Sequence, residues 1–356
     1  MASMALLLLV IFIVIMLLGI PVGFGMGALT VIAFVILGGD LSMVPQKMFS
    51  GIDTYTYVCI LLFILSADIM SVGGITKAIV YFCEKLVGHI RGGLAHVNVL
   101  ASMLFAGLSG SAAADAAGLG PIEIQMMTEG GYDREFSSSV TAASAIIGPI
   151  IPPSNIMIIY AGCVGTVSVG KMFLAGAIPG ILLGIAYMIF CYYISVKRKY
   201  PCREKRASAK EIARATWQTL PALLLPIIIM GTITTGICTA TESSAIAVVY
   251  STIVALCKKQ LSFQSFCRAC IRSAKAAANV LFIIAIATAM AWAITTLGVA
   301  QALTSFCVAY INNKILFLLF VNVLLLLIGM LLDASPALLL MVPILWPVAK
   351  TFGIND

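Results

Sequence analysis

Long apolar runs recur along the whole chain, and they constrain its fold more than any other feature. Several exceed the roughly 18 to 20 residues that an α-helix needs to cross a lipid bilayer. With 62% hydrophobic and 10% charged residues among 356, a soluble domain of this length would have to expose an apolar surface. The runs lack the alternation of membrane β-strands, so the sequence predicts an all-α polytopic protein embedded in the lipid bilayer.

The membrane spans can be placed from these runs. Residues 5–18 resemble a signal-peptide core, but no basic region precedes them and a second apolar run follows directly, so we interpret them as a retained first span. Two amphipathic segments, 75–90 and 263–275, are expected to lie along the interface, with a solvated loop as the alternative for each. The predicted spans are 4–19, 21–38, 54–74, 94–128 (a hairpin), 134–163, 171–195, 217–238, 240–257, 276–298 and 316–350 (a second hairpin).

Charge and cysteine usage exclude two other classes of protein. The net charge of +7 comes mainly from two loops, with eight basic residues in 197–214 and five in 258–275. Basic loops between spans are typical of the cytoplasmic side, so we expect no nucleic-acid partner. The ten cysteines have no regular spacing, and the CxxC of Cys267 and Cys270 has no second pair to complete a zinc site.

The second half of the chain repeats the first. The clearest match aligns HVNVLASMLFAGLSGSA, from His96, with FVNVLLLLIGMLLDASP, from Phe320, at an offset of 224. Corresponding loops differ in charge, since 39–53 has one basic residue and its partner 258–275 has five. They therefore lie on opposite sides of the membrane, which predicts an inverted repeat of the kind found in secondary transporters. The predicted parts are a first repeat (1–195), a basic cytoplasmic linker (196–216) and a second repeat (217–356).

The second repeat is predicted to be incomplete. The first continues beyond Asp133 with a proline-broken helix at 134–163 and a further span, whereas the second stops at Asp356, the equivalent point. We therefore expect that roughly 60 to 70 C-terminal residues are missing, among them a second broken helix.

One stretch, residues 107–155, carries residues that membrane helices normally exclude. Glycines interrupt one apolar run and prolines break the next, namely Gly107, Gly110, Gly118 and Gly120, then Pro149, Pro152 and Pro153. At membrane depth, non-helical backbone persists only where protein buries it or where it lines a polar cavity. The two segments therefore predict a solute or ion site made from exposed helix ends. Tightly packed helices with small residues at their contact are the alternative.

Acidic side chains within apolar stretches are the second functional signal. There are five, with no Lys or Arg beside them: Asp68, Asp115, Glu123, Glu242 and Asp333. Each buried charge costs at least about 2.5 to 3.5 kcal/mol at mid-bilayer, so a carboxylate without a fixed cation is protonated, solvated or paired with a mobile cation. We expect function at Asp115 and Asp333, beside the hairpin tips. Capping explains Glu242 equally well, and Asp68 and Glu123 are expected near the interface.

Oxygen atoms at the breaks suit a sodium ion. Sodium is a hard cation that takes oxygen ligands, and breaks at glycine and proline free backbone carbonyls. The residues that fit this need are Ser109, Gly110 and Ser111 on one side, with Ser144, Gly148 and Ser154 on the other. Helix N-termini opened by the same breaks favour an anion. The pattern therefore predicts an organic anion moved with sodium, without an organic cofactor.

Several motifs resemble the large membrane subunit of the tripartite ATP-independent periplasmic (TRAP) transporters, the DctM type. They are LSGSAAADAAGLG, TAASAIIGPIIPPSNIMIIYA, FLAGAIPGILLG and GMLLDASPALLLMVPILWPVAK, and the resemblance runs from the first span to the last residue. It implies a monomeric elevator-type transporter of the bacterial inner membrane that couples sodium entry to uptake of a carboxylate, such as a dicarboxylate or sialic acid. It also implies two partners, a small four-helix membrane subunit and a periplasmic substrate-binding protein.

The resemblance also places site residues on this chain. The family's hairpin tips match 109–111 and 333–335, and its first broken helix matches 148–155, whereas its second broken helix has no counterpart. TATE at 239–242 departs from the usual TPTE. The implied substrate site consists of Ser109, Ser111, Asp115, Pro153, Ser154, Asn155, Asp333 and Ser335. The implied sodium site consists of Ser109, Gly110, Ser144, Gly148 and Asp333.

Two other functions remain open at this point. A stand-alone sodium–dicarboxylate carrier of similar hairpin architecture would need no binding protein. An intramembrane enzyme would use Ser or Asp at membrane depth, but neither His89 nor His96 has a nucleophile beside it in sequence. Aspartyl catalysis would require Asp115 and Asp333 to meet. We therefore predict a transporter rather than an enzyme.

Overall fold

A computed structural model describes residues 11–354 except 13, 16, 17, 203–205, 312 and 331. Within these residues the regular elements are helices, without strands, which confirms the predicted all-α class. The predicted first span, 4–19, lies largely outside the described residues. The helices are α1 (Val22–Ile36), α2 (Met43–Ile52), α3 (Val58–Val72), α4 (Ile75–Val87), α5 (Gly93–Ser109), α6 (Ala112–Gly118), α7 (Gly120–Glu129), α8 (Arg134–Ala145), α9 (Asn155–Val164), α10 (Val169–Arg198), α11 (Ala209–Thr234), α12 (Ala240–Cys257), α13 (Phe263–Thr296), α14 (Val299–Tyr310), α15 (Lys314–Gly329) and α16 (Ala334–Thr351).

Six of the described helical segments are long and apolar enough to cross a membrane. A helix rises 1.5 Å per residue, so about 20 residues cover the hydrocarbon core. The six are Tyr55–Val72, Val169–Arg198, Ala209–Thr234, Ala240–Cys257, Phe263–Thr296 and Ala334–Thr351. The shorter apolar helices α1, α5, α9 and α15 accompany them. The fold is therefore that of a polytopic helical membrane protein.

The described helices form two compact units. The first-hairpin unit contains 58–158 and 168–276, and the second-hairpin unit contains the described parts of 1–57, 159–167 and 277–356. In the first-hairpin unit, α3 packs against α12, α4 against α5 and α11, and α7 against α8. In the second-hairpin unit, α14 and α15 pack against α16.

The base of the first hairpin is held by aromatic stacking and an ion pair. The rings of Tyr132 and Tyr200 stack with centroids 4.4 Å apart, and Phe136 stacks on Tyr200 at 5.3 Å. Asp133 accepts hydrogen bonds from the Arg198 guanidinium at 2.7 Å and from the Tyr200 hydroxyl at 2.5 Å. These contacts join the turn between α7 and α8 to the end of α10, and so fix the hairpin within its unit.

The amphipathic segment 263–275 is not a separate interfacial element, and that prediction is wrong. These residues form the first turns of α13, which continues without interruption for 34 residues. No glycine or proline occurs between 263 and 296, so nothing in the backbone stops the helix. Segment 75–90, in contrast, gives the separate helix α4, because Gly74 before it takes a left-handed φ of 67°.

The basic linker 196–216 is partly helical as well. Helix α10 extends to Arg198, and α11 begins at Ala209. The start of α11 is a capping box, in which the Ser208 hydroxyl accepts from the Glu211 N–H at 3.3 Å and the Glu211 carboxylate accepts from the Ser208 N–H at 2.9 Å. This local pairing of N-terminal N–H groups explains why the helix starts before the apolar run.

Candidate functional site

The first hairpin is broken at its tip, as the glycines predict. Helix α5 ends at Ser109, and Gly110 takes φ 60°, a left-handed conformation that glycine adopts without a steric penalty. Helix α6 starts at Ala112, with the Ser111 hydroxyl accepting from the Ala114 N–H at 3.4 Å. Two helix ends therefore meet within the three residues 109–111.

Residues 146–154 form the second break. Helix α8 ends at Ala145 and α9 starts at Asn155, with turns and prolines between them. The Ser154 hydroxyl donates to the Pro149 carbonyl at 2.5 Å and accepts from the Met157 N–H at 3.3 Å. Ser154 is 0% exposed, so its hydroxyl satisfies buried backbone groups and caps α9.

The two breaks contact each other through backbone atoms. The Asn155 N–H donates to the Gly110 carbonyl at 3.4 Å. A Cβ on Gly110 would collide with the carbonyl oxygen of Pro153, and a Cβ on Gly148 would lie 3.1 to 3.2 Å from backbone atoms of Ser111. Both glycines are buried. Their lack of a side chain therefore permits the close approach of the tip and the broken segment.

Ser109 supplies an unpaired oxygen at this tip. Its side chain is 6% exposed, and its hydroxyl has no hydrogen-bond partner among the described residues. Since buried hydroxyls are normally paired, an oxygen left free at a helix end fits a cation or a polar solute. Among the described residues, no group of three or more His, Cys, Asp or Glu side chains could hold a metal ion.

A buried polar network joins α5 to α8 behind the tip. The Asn98 amide donates to the Thr141 hydroxyl at 2.7 Å, the Ser144 hydroxyl donates to Asn98 Oδ1 at 2.8 Å, and the Ser102 hydroxyl donates to Ser144 at 3.1 Å. Because all four side chains are buried, the satisfied network fixes the two helices that lead into the breaks. Of these residues, the sequence motifs indicated only Ser144. The spacing of Asn98 and Ser102, four apart on an apolar helix, is a signal that could have revealed the others.

The tip of the second hairpin has different surroundings. Helix α15 ends at Gly329, and α16 starts at Ala334, directly after Asp333. Asp333 is exposed and its side chain makes no capping hydrogen bond, while Ser335 is half-buried. Both lie in the second-hairpin unit, so their participation in a common site with Ser109 stays a prediction.

Asp68 has a fixed cationic partner on a distant segment of the chain, and its expected position near the membrane interface stays a prediction. Arg272 Nη2 lies 2.7 Å from Asp68 Oδ1, and the Ser273 hydroxyl donates to Oδ2 at 2.7 Å. The pairing arises because residues 263–275 are helical and bring Arg272 against α3. The two residues are far apart in the sequence, so the sequence pattern did not predict this contact.

Glu123 and Glu242 also have defined surroundings. The Glu123 side chain is 0% exposed, because α7 packs on α5, α6 and α8, and its expected position near the membrane interface stays a prediction. Glu242 forms a capping box with Thr239, accepting from the Thr239 N–H at 2.8 Å while its own N–H donates to the Thr239 hydroxyl at 3.3 Å. Capping, one of the two open interpretations of Glu242, is confirmed.

The chain is similar to membrane components of one class of transporter. Residues 9–356 match the family described as "Tripartite ATP-independent periplasmic transporter, DctM component". The sialic acid TRAP transporter large permease protein SiaM of Vibrio cholerae is 39% identical over 340 residues, which cover 95% of this chain and 79% of that protein. The C4-dicarboxylate TRAP transporter large permease protein DctM of Pseudomonas aeruginosa is 38% identical over 330 residues, covering 92% and 76%.

A longer relative matches in the same way. The sialic acid TRAP transporter permease protein SiaT of Haemophilus influenzae is 36% identical over 349 residues, which cover 98% of this chain and 56% of that protein. The chain thus spans little more than half the length of this relative and about four fifths of the Vibrio cholerae permease.

Proposed function

The chain belongs to the family of DctM components of the tripartite ATP-independent periplasmic transporters, and from this premise we propose that it carries an organic acid across the membrane together with sodium. It is a multi-pass protein of the bacterial inner membrane. The named relatives are permease subunits and not enzymes, which confirms the prediction of a transporter. Elevator-type movement and the inverted repeat, with its halves at 1–195 and 217–356, belong to the proposal.

The contact between the two breaks is the observation that carries this proposal. At Gly110 and Asn155, two interrupted helices meet in a buried place through backbone hydrogen bonding. Non-helical backbone at this depth is retained where it forms a binding site. A helix dipole favours negative charge at the start of α9, so the carboxylate of the substrate would bind there.

The substrate is proposed to be a carboxylate. Two relatives are named for sialic acid and for C4-dicarboxylates, and both of these molecules carry a carboxylate. The side chains proposed to surround it are Ser109, Ser111, Asp115, Pro153, Ser154, Asn155, Asp333 and Ser335.

Sodium is proposed to enter as the coupled cargo. The free Ser109 hydroxyl at the first tip supports this assignment most directly, because a hard cation prefers oxygen ligands. Backbone oxygens of Gly110 and Gly148, with Ser144 and Asp333, complete the proposed set.

The partners are proposed from the family. Two relatives are named large permease proteins, which supports a separate small four-helix membrane subunit, and the family description includes a periplasmic transporter system. We therefore propose a periplasmic substrate-binding protein as the donor of the substrate. A stand-alone carrier would transport without it.

Uptake by reconstituted protein tests these assignments. Proteoliposomes would contain this chain and the small subunit, with the binding protein and labelled sialic acid or succinate outside, under a sodium or a choline gradient. We expect uptake to need both sodium and the binding protein. Ser109→Ala and Ser111→Ala should weaken the sodium dependence while leaving the protein folded. Ser139→Ala is the matched control, since this exposed hydroxyl bonds only the Glu135 carbonyl of its own helix, at 2.7 Å.

The outcomes separate the alternatives. Unchanged sodium dependence in both tip variants would remove Ser109 and Ser111 from the site. Uptake at the full rate without the binding protein would favour the stand-alone carrier. A panel of carboxylates tested for thermal stabilisation of the binding protein would then identify the transported acid.

A further inference from the structure

Two carboxyl side chains are enclosed together inside the first hairpin. Asp115, on α6, is 1% exposed, and Glu123, on α7, is 0% exposed. Among the described residues, none of their four carboxyl oxygens has a hydrogen-bond partner. Asp115 and Glu123 lie two turns apart on one side of consecutive helices, because the Leu119 N–H donates to the Asp115 carbonyl at 2.9 Å and the Glu123 N–H donates to the Leu119 carbonyl at 3.0 Å. Buried polar groups are normally hydrogen-bonded and buried charges normally paired, so this pair requires a chemical explanation.

The groups beside the pair are neutral. Ser102 interacts with Asp115, and Cys83 interacts with Glu123. Ser102 directs its hydroxyl to Ser144 at 3.1 Å, and a cysteine thiol is a weak hydrogen-bond donor. Neither side chain can compensate a negative charge.

The other titratable groups on the neighbouring helices form no ion pair with either carboxyl. His96 is buried, its Nε2 has no hydrogen-bond partner among the described residues, and its ring lies 6.4 Å from the ring of Tyr192. Lys85 contacts the Tyr81 ring and Glu211. Glu129 is exposed and accepts from Gln125. The remaining groups of this kind on α4 and α8 are Lys77, Glu84, Arg134 and Glu135, of which all but Glu84 are exposed. No cation among the described residues therefore forms an ion pair with Asp115 or Glu123.

Three states of the pair can be compared. Two ionised carboxylates would repel each other in a medium of low dielectric without donors, which is the least favourable state. A sodium ion could be held by the carboxylate oxygens, but one sodium ion would leave the pair with a net negative charge. A proton needs no ligand shell, and protonation of both carboxyls leaves the pair neutral, which is the least costly state for buried acids without a cation.

We propose that Asp115 and Glu123 form a proton-binding pair, occupied when α6 and α7 are packed as observed, which makes the packing of the first hairpin depend on pH. Opening the hairpin would expose both carboxyls to water, where they release their protons. Because the packed form holds more protons than the opened form, acid favours packing and alkali favours opening. Asp115 is also among the side chains proposed to surround the substrate, but its protonation in the packed hairpin requires neither sodium nor substrate and goes beyond the proposed transport function.

Thermal unfolding across pH tests the pair without any transport. The purified protein would be unfolded in detergent between about pH 5 and pH 9, which includes the range where buried carboxyl groups titrate. The wild-type midpoint should fall by several degrees as the pH rises. Asp115→Asn and Glu123→Gln keep the shape of the protonated acids, so each should flatten the dependence, and the double variant should remove most of it. Glu129→Gln is the matched control on α7 and should keep the wild-type slope.

Infrared spectroscopy of the wild-type protein provides a second measurement, which holds even if the variants fail to fold. We expect a protonated-carboxyl band at neutral pH, absent from the double variant where that variant folds. The proposal fails if this band is absent from the wild type, or if the wild type and the double variant share one pH slope. It also fails if sodium chloride, compared with choline chloride at constant pH, stabilises the wild type but not the double variant, because sodium would then occupy the pair. Neither measurement depends on substrate, so failure here leaves the transport proposal intact.

Discussion

The tips of the two hairpins correspond in the predicted sequence repeat, yet their surroundings differ. At the first tip, Gly110 and Gly148 are buried, and the Asn155 N–H binds the Gly110 carbonyl at 3.4 Å. At the second tip, Asp333 is exposed and its side chain does not cap α16. The two tips are therefore not equally constrained. The first tip contacts a second broken segment and has no room for a methyl group at Gly110, whereas Asp333 at the second tip is exposed.

The bases of the two hairpins are more alike than the tips. At the first base, Asp133 binds Arg198 and Tyr200 beside stacked aromatic rings. At the second base, the Lys314 ammonium donates to the Gly353 carbonyl at 3.3 Å, and Phe317 stacks on Phe352 with centroids 4.6 Å apart. Aromatic stacking and polar contacts thus occur at both bases, joining the first to the end of α10 and the start of α15 to the end of α16. The difference between the hairpins is concentrated at the tips, where we expect the largest effects of substitution.

Gly110→Ala should have the largest effect. Alanine in a left-handed conformation costs about 1 to 2 kcal/mol, and its Cβ would also collide with the Pro153 carbonyl. We expect initial rates of sodium-driven uptake to fall by at least about tenfold, since 1.4 kcal/mol corresponds to a factor of ten. A glycine at the end of α15, close to the other tip, provides the comparison: Gly329→Ala should be neutral or slightly stabilising, because nothing lies within 4 Å of the added atom and alanine favours helix.

Gly118→Ala is an internal control in the first hairpin, since its added Cβ would only meet the Phe105 ring at 3.6 Å. If Gly110→Ala took up substrate near the wild-type rate and Gly329→Ala lost uptake, the second tip would be the more constrained of the two, contrary to our expectation. Melting temperatures of all three variants distinguish loss of transport from loss of folding.

A charge substitution tests whether the second tip acts through the Asp333 carboxylate. Asp333→Asn keeps the shape of the side chain and removes its negative charge, so uptake should fall several-fold if the second tip acts through that charge. Glu242→Gln is the control, because glutamine at the third helical position can still accept from the Thr239 N–H in a capping box. We expect the uptake rate of Glu242→Gln to stay within about twofold of the wild-type rate, because a weakened cap should cost only a few tenths of a kcal/mol of helix stability. A greater loss of uptake in Glu242→Gln would contradict this ranking.

The sequence predicted those parts of the site that depend on local backbone chemistry. Gly110 and Pro153 break helices through their own covalent structure, so the residue types alone were enough to place both breaks. The capping role of Glu242 is also local, because its partner lies three residues away. These features therefore follow from residue identity and short spacing.

Contacts between distant segments could not be predicted in this way. Asp68 and Arg272 are more than 200 residues apart, and their pairing depends on the continuation of α13 through a segment whose polar face resembled an interfacial helix. Glu123 is buried because α7 packs on its neighbours, and no periodicity in PIEIQMM indicates that burial. The proposed proton-binding pair consequently depends on tertiary packing, which buries Asp115 and Glu123.

The smallest effect is expected at the first base, from Asp133→Asn. Asp133 lies in a turn outside the spans, where the hydrogen bond from Tyr200 and the hydrogen bond and charge of Arg198 hold the pKa of its carboxyl below the usual value. The folded protein thus binds this proton more weakly than the unfolded chain. The contribution to stability is present above the ordinary carboxyl pKa of about 3.9 and is lost as the pH falls through the lower pKa of the folded state.

Asp133→Asn should therefore melt a degree or two below the wild type at neutral pH, with a difference that shrinks below about pH 4. Lys314→Gln at the second base changes no carboxyl, so its difference from the wild type should stay constant over the same acid range. Melting curves in detergent between neutral pH and about pH 3 measure both differences. The dependence at Asp133 is opposite in sign to that expected for Asp115 and Glu123, where acid strengthens the packing. The difference in melting temperature between Asp133→Asn and the wild type should not increase as the pH falls. If it did, the Asp133 carboxylate would not hold the base of the hairpin.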